Sequence, residues 1–306
     1  MTVPNQKPNI KLAAIDIGSN AIRFQLTHVV HFQDKTNFKK VEYIRFPLRL
    51  GHDVFHLKKI SPEKEAKFIK LMHTYKLLIE LYEVDEYMAC ATSAMRESVN
   101  GHDIAQKVHE LCGLKIQIID GSKEAEITNR AIYKFLDEKP YLHIDVGGGS
   151  TELNLYINRV KTATKSFKIG SVRRMEQLDS PQVWGRMQAW LEENLPAKSR
   201  PIAVGTGGNI NKLFDLAGGK KGKTVTLNKI LQVADFIKGH NMEERINLLQ
   251  LNPDRADVII PASEIYTSVM RWGKCSKILV PDVGLKDGMM EIMYERQLKK
   301  KWGKVD

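Results

Sequence analysis

The sequence predicts an α/β fold made of two related domains that enclose a cleft. The first observation is a glycine-bearing phrase that occurs twice, at residues 15–20 (IDIGSN) and at residues 144–151 (IDVGGGST). Each copy lies between an apolar run and an alternating run, a pattern that indicates two strands joined by a tight turn. The second observation is the length, because 306 residues suffice for two hydrophobic cores. We therefore expect one hairpin-bearing domain in each half of the chain.

The first half should contain three early strands, followed by helices that alternate with strands. Ser61 and Pro62 are typical of a helix start, because serine caps the first free N–H groups and proline fits the first helical position. Ser122 is expected to cap a later helix in the same way. The expected elements are strands at 11–15, 22–30 and 41–50, a helix at 62–82, a strand at 87–91, a helix ending at 111, a strand at 115–120 and a helix at 122–136.

The second half restarts with the same hairpin and then becomes mainly helical. We place the domain boundary near residues 120–124, which gives an N-terminal domain of residues 1–123 and a C-terminal domain of residues 124–306. The last helix, at about 289–302, is expected to pack back on the first domain. The expected elements are strands at 141–144, 152–157, 161–167, 201–204 and 277–280, and helices at 172–177, 181–194, 209–216, 227–249, 261–272 and from 289 onward.

Charge and composition restrict the ligands and the compartment. The net charge of +11 favours polyanions such as nucleic acid, anionic lipid or phosphate chains, although scattered lysines also suit a plain solvated surface. Aromatic residues, 8% of the chain, are not interleaved with lysines, which disfavours a nucleic-acid face. The sequence has no apolar run long enough for a membrane span, residues 1–8 lack a signal-peptide core, and three scattered cysteines suit no disulfide framework. We therefore expect a cytoplasmic protein that does not use a membrane.

The repeated turns carry the residues best suited to bind phosphate. Glycine lets backbone N–H groups approach an anion, and serine or threonine adds a hydroxyl donor. Asp16 and Asp145, which precede the turns, either cap their own loops or, as a symmetric pair, ligate Mg²⁺. Residues 205–208 (GTGG) open a helix whose N–H groups also suit phosphate. The candidate phosphate-binding residues of these segments are Gly18, Ser19, Asn20, Gly147, Gly148, Gly149, Ser150, Thr151, Gly207 and Gly208.

Several phrases, taken in this order, resemble the exopolyphosphatase and guanosine pentaphosphate phosphatase (Ppx/GppA) family of the actin, sugar-kinase and Hsp70-like superfamily. They are 16–20 (DIGSN) with Arg23, 49–51 (RLG), 91–96 (ATSAMR) with Asn100, Gly121 with 124–125 (EA), 145–152 (DVGGGSTE), 205–208 (GTGG) and 284–288 (GLKDG). The resemblance implies two ribonuclease-H-like (actin-like ATPase) domains with an interdomain cleft, in the short two-domain form. Ala21, Lys123 and Lys286 depart from the family pattern, where serine, glutamate and arginine are common at these places.

The resemblance also implies roles for single residues. Glu124 matches the family's catalytic glutamate, the general base that deprotonates water, whereas by itself it would be interpreted as a carboxylate stabilised by the helix dipole. Metal binding is implied for Asp145 and Glu152, and Asp16 joins them as the symmetric partner of Asp145; the expected ion is Mg²⁺ or another divalent cation. The side chains expected to bind phosphate, beyond the turns, are Arg23, Arg49, Thr92, Ser93 and Arg96.

Together these observations predict an exopolyphosphatase that releases terminal phosphate from inorganic polyphosphate by metal-assisted attack of a water activated by Glu124. The alternatives are hydrolysis of guanosine pentaphosphate and, from another class, an ATP-dependent kinase of the same superfamily. A guanine pocket needs an aromatic or apolar wall and a carboxylate or amide, and no such set stands out in the second half of the sequence. The chain-length preference, the number of metal ions and the oligomeric state, including a homodimer, stay open.

Overall fold

The computed structural model describes residues 9–32 and 35–302. Within these ranges the chain forms two β-sheets flanked by helices. The N-terminal segment 1–8, predicted to lack a signal-peptide core, lies outside the described residues. None of the described helices combines the length and the apolar character needed to cross a membrane.

Most strands lie close to the predicted positions in both halves of the chain. They are β1 (Ile10–Ile17), β2 (Ile22–Phe32), β3 (Lys35–Phe46), β4 (Glu86–Ala91), β5 (Gln117–Ile118), β6 (Tyr141–Val146), β7 (Thr151–Ile157), β8 (Val160–Phe167), β9 (Ile202–Thr206), β10 (Thr224–Thr226) and β11 (Lys277–Leu279).

The helices cover the faces of these two sheets. They are α1 (Leu50–Leu57), α2 (Pro62–Leu81), α3 (Ser93–Glu97), α4 (Gly101–Cys112), α5 (Gly121–Tyr133), α6 (Ser171–Met175), α7 (Pro181–Asn194), α8 (Gly208–Leu216), α9 (Leu227–Lys238), α10 (Met242–Asn247), α11 (Pro253–Ala256), α12 (Ile259–Trp272) and α13 (Leu285–Trp302).

The two sheets repeat one arrangement, which confirms the duplication read from the sequence. The first has the order β3-β2-β1-β4-β5, and the second has the order β10-β11-β9-β6-β7-β8. In each sheet the repeated hairpin, β1–β2 or β6–β7, is antiparallel, and its first strand pairs in parallel with the next strand, β4 or β9. The carboxyl ends of β1 and β6 therefore carry Asp16 and Asp145 at equivalent positions, each beside its glycine turn.

The last helix, α13, lies against the first sheet. Its residues Leu285, Met289 and Met293 pack with Ile10 and Leu12 of β1 in one buried apolar cluster. α13 also crosses α5 closely, because a Cβ on Gly288 would lie 1.9 Å from the carbonyl oxygen of Ile127. Only glycine permits this approach, which explains a glycine in the interior of a long helix. The boundary between residues 123 and 124 stays a prediction.

The prediction of a strand at 41–50 was wrong at both ends, since β3 begins at Lys35 and ends at Phe46, and the helix α1 begins at Leu50. The reversal occurs at Arg49, whose φ of 53° is left-handed and cannot continue a strand. The first hairpin turn fixes this bend, because Arg49 N donates to Asn20 O at 2.9 Å and Gly51 N donates to Ser19 O at 2.7 Å. Tertiary hydrogen bonds therefore decide the local structure here.

Two details of the helices also differ from the expectation. The cap of α5 is Asp120, whose side chain accepts from Lys123 N at 2.8 Å, whereas Ser122 lies in the first helical turn. The helix expected up to residue 111 is two helices, α3 and α4, separated by residues 98–100. Asn100 holds this break in place, since its side chain bonds both backbone groups of Ile60 at 2.9 Å.

Smaller elements of the second half escaped the sequence analysis. β10 and α11 were not expected, and the helix predicted at 227–249 is divided into α9 and α10. The second of these begins with a capping box, in which Asn241 and Glu244 exchange side-chain and backbone hydrogen bonds. Among these elements the four-residue helix α11 is the most important for the position of side chains, because it carries Asp254 and Arg255 to the edge of the first sheet.

Candidate active site

A cavity of about 300 Å³ lies between the two glycine turns. Most of the predicted site residues line it, although they come from both halves of the chain. These residues are Asp16, Gly18, Ser19, Asn20, Arg23, Thr92, Ser93, Glu124, Asp145, Gly147, Gly148, Ser150, Gly207 and Gly208. The structure therefore brings together the two repeats that the sequence separates by more than a hundred residues.

The two turns have the same geometry and touch each other. Gly18 N donates to Ala21 O at 3.2 Å, and Gly147 N donates to Ser150 O at 2.9 Å. A Cβ on Gly148 would lie 2.8 Å from the Cβ of Ser19, so a larger residue would push the turns apart. Residues of both turns line the cavity, a placement suited to anions.

Glu124 occupies the first turn of α5 and lines the cavity. Its Oε2 atom is buried and has no hydrogen-bond partner among the described residues; the nearest cation, Arg96 Nη1, is 3.9 Å away. Burial, Glu152 and Asp145 together raise the pKa of Glu124 well above its usual value. A buried carboxylate oxygen without a partner is costly, and this one is free to accept a proton from a water in the cavity.

Two further carboxyl groups share this environment. Burial raises the pKa of Asp145 to about 6, and the charge of Asp16 adds to the rise. Burial and Asp145 raise the pKa of Glu152 to about 7. Asp16 itself is held by Arg23, whose Nη1 lies 3.0 Å from its Oδ2. The site therefore concentrates negative charge that a cation would relieve.

A buried chain of hydrogen bonds connects the second sheet to Asp145. Asn154 Nδ2 donates to His143 Nδ1 at 3.0 Å, and His143 Nε2 lies 2.9 Å from the Thr206 hydroxyl. Thr206 in turn makes a side-chain hydrogen bond to Asp145, which lowers the pKa of this carboxyl against the effect of burial. The strand register places these residues side by side. His143 and Asp145 lie two residues apart and so share one face of β6, and Thr206 of β9 pairs with Asp145.

Five of the predicted site residues lie beside the cavity without lining it. Arg49 forms an ion pair with Asp257 at 2.7 Å, and Arg96 donates to Ile119 O at 2.5 Å. Thr151 is fully buried and donates to Ile169 O at 2.6 Å, while Gly149 packs under Phe55. Glu152 is also buried, and it accepts a hydrogen bond from Ser166 at 2.8 Å. The binding roles predicted for these five residues stay predictions.

Two arginines of the cavity wall were not predicted from the sequence. Arg45 pairs with Arg23 in the β2–β3 register and is bound by both carboxylate oxygens of Asp254. Arg255 places its guanidinium beside Gly208, 2.9 Å from the position of a Cβ on that glycine. Burial, Arg45 and Arg23 lower the pKa of Arg255, so three guanidinium groups converge here. Alternation along β3 could have indicated Arg45, whereas no sequence signal places Arg255.

The residues of the cavity fit a hard divalent cation. Burial, Glu152, Asp145 and Asp16 all raise the pKa of Glu124, and one oxygen of Glu124 is unpartnered. Carboxylate oxygens are the ligands that Mg²⁺ prefers, usually together with waters and substrate phosphates. The carboxylates of the predicted ligands Asp16, Asp145 and Glu152 do not form a group within 4.8 Å of one another in the described chain.

Comparison with known proteins places this site in a family. The profile of the Ppx/GppA phosphatase family matches residues 29–297. A bifunctional 3-dehydroquinate synthase/phosphatase of Fusobacterium nucleatum is 28% identical over 96% of this chain, which spans 47% of that protein. Exopolyphosphatase 2 of Mycobacterium tuberculosis is 26% identical over 91% of this chain and 97% of its own length. The chain thus spans about half of one relative and nearly all of the other.

Solved structures agree with this assignment. The Ppx/GppA family member of Aquifex aeolicus superposes with a TM-score of 0.74 at 25% identity, over 94% of this chain and 99% of that one. An exopolyphosphatase of Cytophaga hutchinsonii has a TM-score of 0.79 at 19% identity, over 94% and 98%, and indicates the fold alone. These similarities confirm the predicted actin-like, ribonuclease-H-like fold. With a family profile that extends over most of its length, the chain belongs to the Ppx/GppA phosphatase family.

Proposed function

We propose that the protein is an exopolyphosphatase, which removes the terminal phosphate of inorganic polyphosphate. The observation that carries the proposal is the position of Glu124, whose unpartnered Oε2 belongs to a cavity walled by two glycine turns and by arginines. The names of two relatives, Exopolyphosphatase 1 and Exopolyphosphatase 2 of Mycobacterium tuberculosis, support the same substrate class.

The terminal phosphate would lie between the two turns, beside the start of α8 at Gly208 and the guanidinium of Arg255. A water between Glu124 and the phosphorus attacks in line with the anhydride oxygen. Glu124 takes the proton of this water as the new P–O bond forms and the anhydride P–O bond breaks. Orthophosphate leaves, and the shortened chain keeps the bridging oxygen.

A divalent cation such as Mg²⁺, held by Asp145 and Glu152 with Asp16 beside them, would neutralise phosphate charge in this site. Because the pKa of Glu124 is raised, the same cation would also help to keep this base ionised. A carboxyl group accepts a proton only when it is ionised, and positive charge nearby favours the ionised form. Arg96, 3.9 Å from Glu124, acts in the same direction.

One observation favours guanosine pentaphosphate as the alternative substrate. A second depression of about 780 Å³ adjoins the cavity and shares Tyr43 and Lys286 with it. Its wall includes Phe214 and Asp215, an aromatic ring and a carboxylate of the kind a guanine base needs. No such set was predicted from the second half of the sequence, although Phe214 and Asp215 are adjacent there.

The experiment that separates these functions measures phosphate release from long polyphosphate, tripolyphosphate and guanosine pentaphosphate side by side at physiological salt. We expect kcat/KM to be highest for long polyphosphate, because its repeated charges can contact the basic surface beyond the cavity. A higher kcat/KM for guanosine pentaphosphate would replace the proposal by its alternative. Formation of ADP from ATP with an acceptor, in the absence of phosphate release, would instead indicate a kinase.

A further inference from the structure

A cluster of two histidines and one glutamate lies outside the cavity. His52 and His56 stand one helical turn apart on α1, and Glu176 follows the last residue of α6. His52 Nδ1 lies 2.7 Å from Glu176 Oε1, and His56 Nε2 lies 3.1 Å from Glu176 Oε2. One ligand atom from each side chain falls within 4.8 Å of the others. No other group of three such side chains in the described chain is as compact.

The chemistry of these three side chains is that of a transition-metal site. Two imidazoles and one carboxylate are a common ligand set for Zn²⁺, with a fourth position left for water or another ligand. A tetrahedral ion with bonds of about 2.0–2.1 Å holds its ligand atoms about 3.4 Å apart. The N–O distances of 2.7 and 3.1 Å in the cluster would have to lengthen slightly, and both histidines are exposed enough to rotate. Mg²⁺, which prefers oxygen ligands, does not suit this set.

The surroundings leave the ligands available. Lys64, which lies near the cluster, does not neutralise Glu176, because Asp53 Oδ1 binds its ammonium group at 2.6 Å. The carboxylate of Glu176 has contacts with His52 and His56 at 2.7 and 3.1 Å, so all three side chains face one another.

We propose that His52, His56 and Glu176 bind one divalent transition-metal ion of the Zn²⁺ class, and that this ion ties α1 to α6. The two helices belong to different parts of the chain, since α1 follows the first sheet and α6 follows β8 of the second. They already touch through Arg173 of α6, whose guanidinium lies 4.0 Å from the ring centre of Phe55 on α1. A metal ion bound beside this contact fastens the two halves of the molecule, and its binding energy stabilises the folded state.

The test uses the full chain, freed of metal and kept in excess Mg²⁺ so that the cavity carboxylates are occupied. Zn²⁺ is titrated by calorimetry, and Co²⁺ by the visible absorption of a tetrahedral complex. The variants are H52Q, H56Q and E176Q, in which the new amides keep hydrogen bonds but remove an imidazole or a charge. The matched control is the double variant H73Q/H102Q, which changes two exposed helix histidines away from the cluster.

We expect the wild type and the control to bind one Zn²⁺ with equal affinity. Each cluster variant should bind at least 10-fold more weakly, since even the loss of an outer partner of a metal ligand costs about 10–100-fold. Zn²⁺ should also raise the melting temperature of the wild type and the control but not of the cluster variants. Zn²⁺ affinity that is absent in the wild type, or unchanged in the cluster variants, would overturn the proposal. Neither readout depends on the substrate or on Glu124.

Discussion

His143 and Thr206 meet across two buried strands, with His143 Nε2 2.9 Å from the Thr206 hydroxyl. Burial lowers the pKa of His143 to about 3, so the imidazole is neutral at physiological pH. Because Asn154 donates to His143 Nδ1, the hydrogen-bond network assigns the imidazole proton to Nε2, which donates to Thr206. The Thr206 hydroxyl can then donate to Asp145, so this chain orients a carboxylate of the cavity.

The substitution Thr206→Val keeps the shape of the side chain and removes the hydroxyl. It leaves the Nε2 proton of His143 and one oxygen of Asp145 without this partner, so we expect a loss of about 1–3 kcal/mol in the free energy of unfolding, measured in urea. The phosphatase kcat should fall as well, because Asp145 loses its orientation. Thr224→Val, at an exposed position of β10, is the control and should change neither quantity. Equal stability of the two variants would contradict the role of this hydroxyl.

The neutral His143 also predicts how stability depends on pH. An unfolded histidine binds a proton below about pH 6.5, whereas the native His143 binds one only near its pKa of about 3. In that window the unfolded chain binds the extra proton, so acidification destabilises the native state by up to about 1.4 kcal/mol per pH unit. The raised pKa of Asp145 has the opposite effect, since below pH 6 its native carboxyl group binds a proton and acidification stabilises the native state. The contribution of His143 is therefore measured by comparing the wild type with His143→Asn. If the urea midpoint of His143→Asn fell with decreasing pH as steeply as that of the wild type, His143 would not be the source of the pH dependence.

Glu124→Gln tests the proposed general base. The amide has nearly the same size and keeps the helix start, but it cannot take a proton from water. We expect kcat to fall by about 10²–10⁴ while substrate binding survives. Glu126→Gln on the same helix is the control, because Glu126 is exposed and pairs with Lys123 at 2.9 Å. If the Glu124 variant kept the kcat of the control, another group would have to be the base.

Removal of divalent metal should abolish turnover, and Mg²⁺ should restore it. Without a cation, Asp145 and Glu152 would face the phosphates of the substrate as like charges. The measurement is phosphate release after treatment with EDTA and then with Mg²⁺. E176Q, altered only at the histidine cluster, should respond like the wild type. Full activity of a thoroughly chelated protein, with no metal found by elemental analysis, would rule out the metal.

Arg255→Ala tests an arginine that the sequence did not indicate. Its neighbour Asp254 is bound by Arg45, and Arg255 has no ion-pair partner of its own in the described part of the chain. We therefore expect it to bind the substrate and its loss to lower kcat/KM by about 10–100-fold, the effect of one charged hydrogen bond. Arg186→Ala, on the exposed face of α7, should leave kcat/KM unchanged. Indistinguishable kcat/KM values for the two variants would exclude Arg255 from the site.

The sequence by itself determined the duplicated hairpins, and with them the positions of Asp16 and Asp145. These follow from short-range rules, because alternation of apolar residues and glycine in a turn encode local structure wherever they occur. The same local signals predicted the cap of α2 at Ser61, whose side chain accepts from Lys64 N. Glu124 was found because it lies in a recognisable phrase at the start of a helix.

Tertiary structure decided what no local pattern encodes. Arg49, predicted to bind phosphate, lies at the bend that the turn at Ser19 and Asn20 imposes, and there it pairs with Asp257. Arg255 reaches the cavity because Asp254 is fixed by Arg45, a contact between residues more than two hundred positions apart. The pKa values of Glu124 and Glu152 rise through burial beside other carboxyl groups, and burial is a property of the packed chain. Side chains distant in sequence acquire their partners, their charge states and their access to the cavity only when the two sheets come together.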